Sequence, residues 1–418
     1  MKKLYRHIFF LCFTFICISC KNFVTNVDPP IDEIKDSELN NESQLPFLIN
    51  GVEIQFTSAF AKTNICAACL SDAFFTNENV GRISDNDYKY IDGGKIPLDN
   101  SDVTEAYKAV GQLRFYTDDL IRRTNSISAN DTLIRNKALF TGYFYGGYAR
   151  YLYATFFGLT QTEGGSPINN SPFIDSQKMY DSAITRFKKS LEYTQDTLTV
   201  KSINSVIARA YLYDGDYSDA SIYAVKGLSK EDNTPFQTPI SSDLWYSTAG
   251  ERFQNFLADS TFKQYIDTDP NEANRIKLSP VPLVTQKLDT VVIGDSTEYQ
   301  QEEDTTWYYV QAVYANNSSP QKIITWQENN LMRAELSLRG FPSGSADYLV
   351  NEVTESHQIA DLNSSVDLNI IYTERDKELF PSGNRLVDER RFNKWHLGPD
   401  TWEYLPIPQS ERDGNPNL

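Results

Sequence analysis

Chemistry in this chain would have to come from few residue types. Beyond position 20 there are two histidines, His357 and His396, and two cysteines, Cys66 and Cys69. Neither histidine stands in an HExxH, a paired-His or a Cys-His arrangement, so no metal or nucleophile set is spelled out. No GxSxG, P-loop or GxGxxG occurs. Asp85-Asn86-Asp87 opens like a calcium loop but lacks Gly at the sixth position and Glu at the twelfth. The two carboxylates of a glycosidase could come from anywhere among 56 acids, which gives any such pair little weight. No catalytic residue, metal site or cofactor is assigned, and enzymatic activity is not expected.

Two other groups could carry function. Cys66-Ala67-Ala68-Cys69 has redox spacing, but its surroundings look helical, with no βαβ context and no partner for a zinc site. Buried thiols or a local disulfide are the two main readings, and export to an oxidising compartment keeps the disulfide open. The second group is aromatic: 25 Tyr, 24 Phe and 5 Trp. Tyr and Trp faces stack on sugar C–H surfaces or on apolar peptide groups, while nearby Asp, Asn and Gln supply directional hydrogen bonds. Aromatics in loop-like stretches are the best candidates, because core aromatics belong on periodic segments. These are Tyr88 and Tyr90 in SDNDYKYIDGG, Trp245 and Tyr246 in SSDLWYSTAG, and Trp307 with Tyr308.

The remaining composition bounds what surrounds them. The net charge is −17, and Lys2, Lys3 and Arg6 fall in a leader, so the exported part is more acidic still. That argues against nucleic acid as a partner, since phosphate neutralisation needs clustered Lys and Arg. Positions 8–18 form an apolar run, too short to span a bilayer and fitting a secretory signal. Cys17-Ile18-Ser19-Cys20 resembles a bacterial lipobox, in which Cys20 becomes the acylated first residue. The expected order is a signal peptide at 1–19, a polar tether at 20–40 and one domain at 41–418. Acyl chains on Cys20 would hold the protein at a membrane surface.

Elements that must position the candidates follow from periodicity and breakers. The pattern from about 45 to 228 is mainly helical, with segments at 45–75, 101–124, 131–157, 176–194, 199–213 and 217–228. Gly93-Gly94, Gly164 to Pro167, and Asp214-Gly215-Asp216 separate them. In 203–228, Ala208, Tyr211, Gly215, Tyr217, Ala220, Ala224 and Gly227 have tetratricopeptide spacing, with small residues where two helices pack closely. Ala138, Gly142, Gly146 and Ala149 are a similar small set in 131–157. Residues 280–326 turn β-branched and aromatic, with turn signals at 294–296 and 316–320. Helices are expected again at 327–339, 345–360 and 372–380.

Taken in order, several stretches resemble the SusD/RagB family of surface nutrient-binding lipoproteins. They are the Cys20 leader, Leu70-Ser71-Asp72, YLYATFFG (151–158) before Gly164 to Pro167, and ARAYLYDGDYSDASIYA (208–224). Glu328 and Ala334-Glu335 fall in a helix like the family's AE-x-x-L-x-x-AEA, with Leu336 in place of its last Ala. TERDKELFPSGNRLVDERR (373–391) resembles ER-x-x-EL-x-x-EG-x-R-x-x-DL-x-R, with Ser382 and Glu389 as departures. The end, LPIPQSERDGNPNL, resembles PIP-x-x-E…NP.

By their residue types, Glu374, Arg375, Glu378, Arg385, Asp388 and Arg391 can form an ionic network at helix ends. The resemblance gives this set, with Glu328 and Glu335, a structural role. It further implies a mainly α fold in which tetratricopeptide-like helix pairs scaffold an irregular region with short β-hairpins. The repeat core would occupy about 41–230 and 327–395, and the variable ligand side about 230–326. It implies an outer-membrane, outward-facing lipoprotein that passes glycans to a SusC-like TonB-dependent transporter. A peptide-binding lid of the same kind and a tetratricopeptide scaffold without a small ligand are the alternatives.

Overall fold

The computed structural model describes residues 36–77, 86–128, 130–293, 296–362 and 364–418. The signal peptide, Cys20, the tether up to position 35 and Asp85 lie outside the described residues. Asp and Asn side chains start many of the helices. Asn100 caps α3, Asp131 caps α4, Asp175 caps α5, Asp196 caps α6 and Asp216 caps α7, each side chain accepting a first-turn backbone N–H. Such caps contribute about 1 kcal/mol each, and they place part of the acidic surplus where the helix dipole favours it.

The first half is built of these helices: α1 (Leu45–Leu70), α2 (Asn86–Asp92), α3 (Ser101–Ser126), α4 (Thr132–Phe156), α5 (Ser176–Ser190), α6 (Thr197–Asp214) and α7 (Tyr217–Val225). α1 packs on α3 and α4, α3 on α4, α4 on α5, and α6 on α7. Small residues set the spacing. A Cβ on Gly147 would stand 2.7 Å from the Phe187 ring, and one on Gly142 would stand 2.6 Å from Ile121. Gly215 ends α6 with φ +89°, a left-handed conformation that glycine adopts without strain. Tyr211 and Tyr223 stack across the α6–α7 pair at 5.7 Å, with the Lys188 ammonium about 5 Å from both rings.

The middle of the chain holds α8 (Leu244–Thr248), α9 (Ser260–Thr268) and an antiparallel hairpin of β7 (Leu278–Ile293) and β8 (Ser296–Gln311). The hairpin departs from the expected short ones. Each strand has 16 residues, and the ribbon is ~50 Å long at ~3.4 Å per residue. Its turn at 294–295 lies outside the described residues. Short strands stitch distant segments: β1 (Phe74–Thr76) with β6 (Phe256–Ala258), β3 (Gly165–Ser166) with β4 (Ile174–Asp175), and β5 (Phe236–Gln237) with β9 (Lys322–Ile324). β2 (Phe157–Gly158) pairs in parallel with β10 (Leu405–Pro406), so the FFG and PIP stretches clasp each other.

α10 (Trp326–Leu338), α11 (Ala346–Ser356), α12 (Leu368–Glu378), α13 (Asn384–Arg391) and α14 (Gln409–Gly414) complete the chain. Buried charges tie α10, α12 and α13 together. Arg375 meets Asp388 at 2.8 Å. Arg391 bridges Asp388 at 2.8 Å and Glu335 at 2.8 and 3.0 Å. Arg385 joins Asp376 to Glu389, and Arg275 joins Glu272 to Glu374. His357 and His396 reach buried glutamates, Glu378 and Glu389, each at 2.8 Å. Glu328 of α10 receives Arg209 of α6 at 3.2 Å, linking the two halves. Burial alone would raise the Glu335 carboxyl, but Arg391, Arg375 and Arg339 outweigh it and hold it at about 2. One apolar cluster runs from Leu45 to Ile407 through most of these elements.

Candidate functional site

The candidate aromatics separate by burial. Trp245 is 2% exposed. Its Nε1–H donates to Gln321 Oε1 at 2.9 Å, and its ring packs on Phe74 and Tyr314. Tyr88 packs edge-on against Phe256 at 4.6 Å, and burial pushes its hydroxyl pKa well up. Trp245 is therefore a support beneath a surface, and Tyr88 is half-buried against the same support. The reason is positional: each stands on a short helix whose inner face seals the β1–β6 pair. Tyr246 is half-buried on α8. Tyr90 is 45% exposed on α2, and Trp307 is 57% exposed on β8.

The β1–β6 pair forms the floor of an open cleft of about 510 Å³. Its walls are α2, through Lys89 and Asp92, with Gly93 just after it, and the base of β8, through Tyr308. Phe75 and Tyr308 meet edge to face at 6.1 Å and form its aromatic edge. The polar floor is fixed. Asp92 Oδ2 accepts from the Thr76 N–H at 3.3 Å and from its hydroxyl at 3.2 Å. Burial raises the Asp92 carboxyl, and the Thr76 bonds pull it part of the way back. The Asn77 side-chain amide donates to the Gln254 carbonyl at 3.1 Å. Two half-exposed rings beside a positioned carboxylate and amide can grip a flat molecule that is apolar on its face and hydroxylated at its edge.

Of the six candidate aromatics, Tyr308 lines this cleft. Tyr90 stands on its α2 wall, and Trp307 follows the same strand with its side chain on the opposite face, because strand side chains alternate. Tyr246 is not among the lining residues. Phe75, Thr76, Asn77, Asp92 and Leu257 went unnoticed in the sequence. The segment 74–77 reads as the end of the first helix, and its strand partner lies some 180 residues away. The Phe74-Phe75 pair one residue past the Leu70-Ser71-Asp72 stop is the available signal.

A second cleft of the same volume is lined by Ile54, Thr57, Lys62, Ser241, Asp243 and neighbours, with no aromatic among its lining residues. A small interior cavity of about 20 Å³ beside Tyr151, Arg209 and Trp245 has room for about one water. Cys66 and Cys69 are free, buried thiols, the first of the two readings and not the disulfide. They stand one helical turn apart within α1, burial pushes the Cys66 thiol up, and the Cys69 thiol donates to the Tyr88 carbonyl at 3.6 Å.

No family model matches the sequence, and no curated protein does. Solved structures do match. A SusD superfamily protein from Bacteroides thetaiotaomicron VPI-5482 superposes with a TM-score of 0.67 at 19% identity, over 90% of this chain and 98% of its own. Surface glycan-binding protein A from the same species gives 0.65 at 15% identity, over 91% and 98%. A laminarin-binding SusD-like protein gives 0.61 at 12% identity, over 90% and 100%. No described helix is long and apolar enough to cross a membrane.

Proposed function

We propose that this chain, whose fold is that of the SusD superfamily, is a non-enzymatic glycan-binding protein. It presents oligosaccharides to a SusC-like TonB-dependent transporter from an outer-membrane anchor at Cys20. The carrying observation is the β1–β6–α2 cleft, where Phe75 and Tyr308 stand over Thr76, Asn77 and Asp92. In this reading a pyranose ring lies against Tyr308 and Phe75, and its hydroxyls pair with Asp92 and Asn77. The glycan-binding neighbours with the same fold, one described as laminarin-binding, support the ligand class.

The test is calorimetric titration of the exported chain with a panel of neutral and acidic oligosaccharides, repeated with Tyr308→Ala and Asp92→Asn. Each substitution is expected to weaken binding at least tenfold, about 1.4 kcal/mol. Unchanged affinity in both would overturn the site. Binding of peptides with no response to any glycan would replace the ligand class.

A further inference from the structure

The chain enters the described fold at one corner, and that corner is made of helix ends. Asp36–Leu39 and Glu42–Gln44 are short 3-10 turns laid across the α3–α4 connection. Arg123, buried near the end of α3, pairs with Asp36 and donates to the Asp36 carbonyl at 3.1 Å and to Asn40 Oδ1 at 2.9 Å. The Glu42 carboxylate accepts the backbone N–H groups of Asn130 and Asp131 at 2.9 and 2.8 Å. These bonds fix where the N-terminal segment departs.

α1 begins at Leu45, directly after this strap, and runs parallel to α4. Phe56 packs on Tyr145 and Phe60 on Tyr148, while Glu42 meets Asp131 at the start. The first turns of α1 and α4 therefore sit side by side. Each carries one apolar side chain pointing to solvent: Phe47, 66% exposed, and Leu133, 82% exposed. They are the two most exposed large apolar side chains among the described residues. One exposed Leu needs no explanation. Two of them flanking the point where the chain leaves toward a lipobox cysteine form a specific arrangement.

We propose that this corner is the membrane-facing pole, with Phe47 and Leu133 resting in the interfacial layer of the lipid surface. The inference rests on the reading of Cys20 as acylated. Fifteen residues separate Cys20 from Asp36. Fully extended they reach ~50 Å, at ~3.3 Å per residue, so the strap cannot stand farther from the lipid than that. Acyl chains bring the pole to the surface, and two apolar side chains then add the second, weaker contact that orients the body. Acids and bases are mixed around it (Glu38, Asp131, Arg122, Arg135), so the contact is apolar rather than steered by charge.

The test uses the full chain, exported, purified in detergent and reconstituted into phosphatidylethanolamine–phosphatidylglycerol vesicles. An environment-sensitive fluorophore is placed at Phe47→Cys, Leu133→Cys or, as a reference on α11, the exposed Tyr348→Cys. Cys66 and Cys69 are buried and stay unlabelled. Reconstitution is expected to blue-shift and brighten the labels at 47 and 133 severalfold, with quenching by spin-labelled lipid, and to leave 348 unchanged. Acylated, vesicle-bound protein with silent labels at 47 and 133, or an equal response at all three positions, overturns the proposal alone. An intact mass without acyl chains on Cys20 overturns the anchor and the proposal together.

Discussion

At the scale of single residues, the buried charges of the second half bear on stability. Glu335 is buried among Arg391, Arg375 and Arg339, which hold its carboxyl at about 2, below its ordinary 4.5. A depressed carboxylate stabilises the fold above about pH 4.5, and that stability is lost as pH falls toward 2. Glu335→Gln leaves two guanidiniums short of a partner and is expected to cost about 3–5 kcal/mol in urea unfolding at pH 7. Asp214 has the opposite sign. Burial, with Asp181, Asp216 and Asp175 nearby, raises it from 3.8 to about 6. The folded state takes up that proton, so this contribution is present below about pH 4 and is lost as pH rises through 6. Asp214→Asn should therefore raise the melting temperature at pH 7.5 more than at pH 4. Thermal scans at the two pH values decide it.

The free thiols also belong at this scale. Cys66 and Cys69 are enclosed within α1, so maleimide should label neither until the chain is unfolded. Labelling of native protein at the unfolding-independent rate would contradict their burial. The CxxC spacing kept a disulfide open, while the helical surroundings already favoured buried thiols, and the structure has the thiols free and buried.

At the scale of elements, the long helices were legible because their periodicity and caps agree. The segments read at 101–124, 131–157, 176–194 and 217–228 match α3, α4, α5 and α7 to within a few residues at their ends. Short elements escaped. α2, α8 and α9 have five to nine residues and owe their form to the core they cover, not to local propensity. The β1–β6 pair that floors the cleft joins segments about 180 residues apart, and no local pattern announces such a pairing. The hairpin was seen as β-rich sequence, but not its length. One prediction belongs to the clasp of β2 and β10. Arg412 donates to the carbonyls of Ile407 and Leu159 at 2.9 and 2.6 Å, and Asn415 to that of Ser171 at 2.9 Å. Arg412→Ala is expected to loosen the C-terminal segment by about 1–3 kcal/mol. It should speed amide exchange at 405–407 more than in α4. Equal exchange in both places would show that the clasp does not depend on Arg412.

At the scale of the whole molecule, the aromatic surplus divides. Many rings lie inside the fold, and Tyr148, Tyr151, Phe144 and Phe187 belong to one interior aromatic cluster. Trp245, expected at the surface, is an interior ring as well, and Tyr88 packs half-buried against the core. Their loop-like sequence misled because short helices that seal a pairing carry no amphipathic signature of useful length. Tyr308 alone of the six candidates lines the cleft, and its neighbours there come from three separate parts of the chain. The C-terminal stretch reaches this region by packing: Phe380, which follows α12, stacks on Phe74 of β1 at 5.4 Å.

The central claim is the place of the ligand. It is tested most directly by a crystal structure of the exported chain with its tightest-binding oligosaccharide. A sugar ring packed on Tyr308 and Phe75, with hydroxyls on Asp92 and Asn77, is the predicted result. A ligand seated instead between Ile54, Ser241 and Asp243, with the β1–β6 cleft empty, would contradict it.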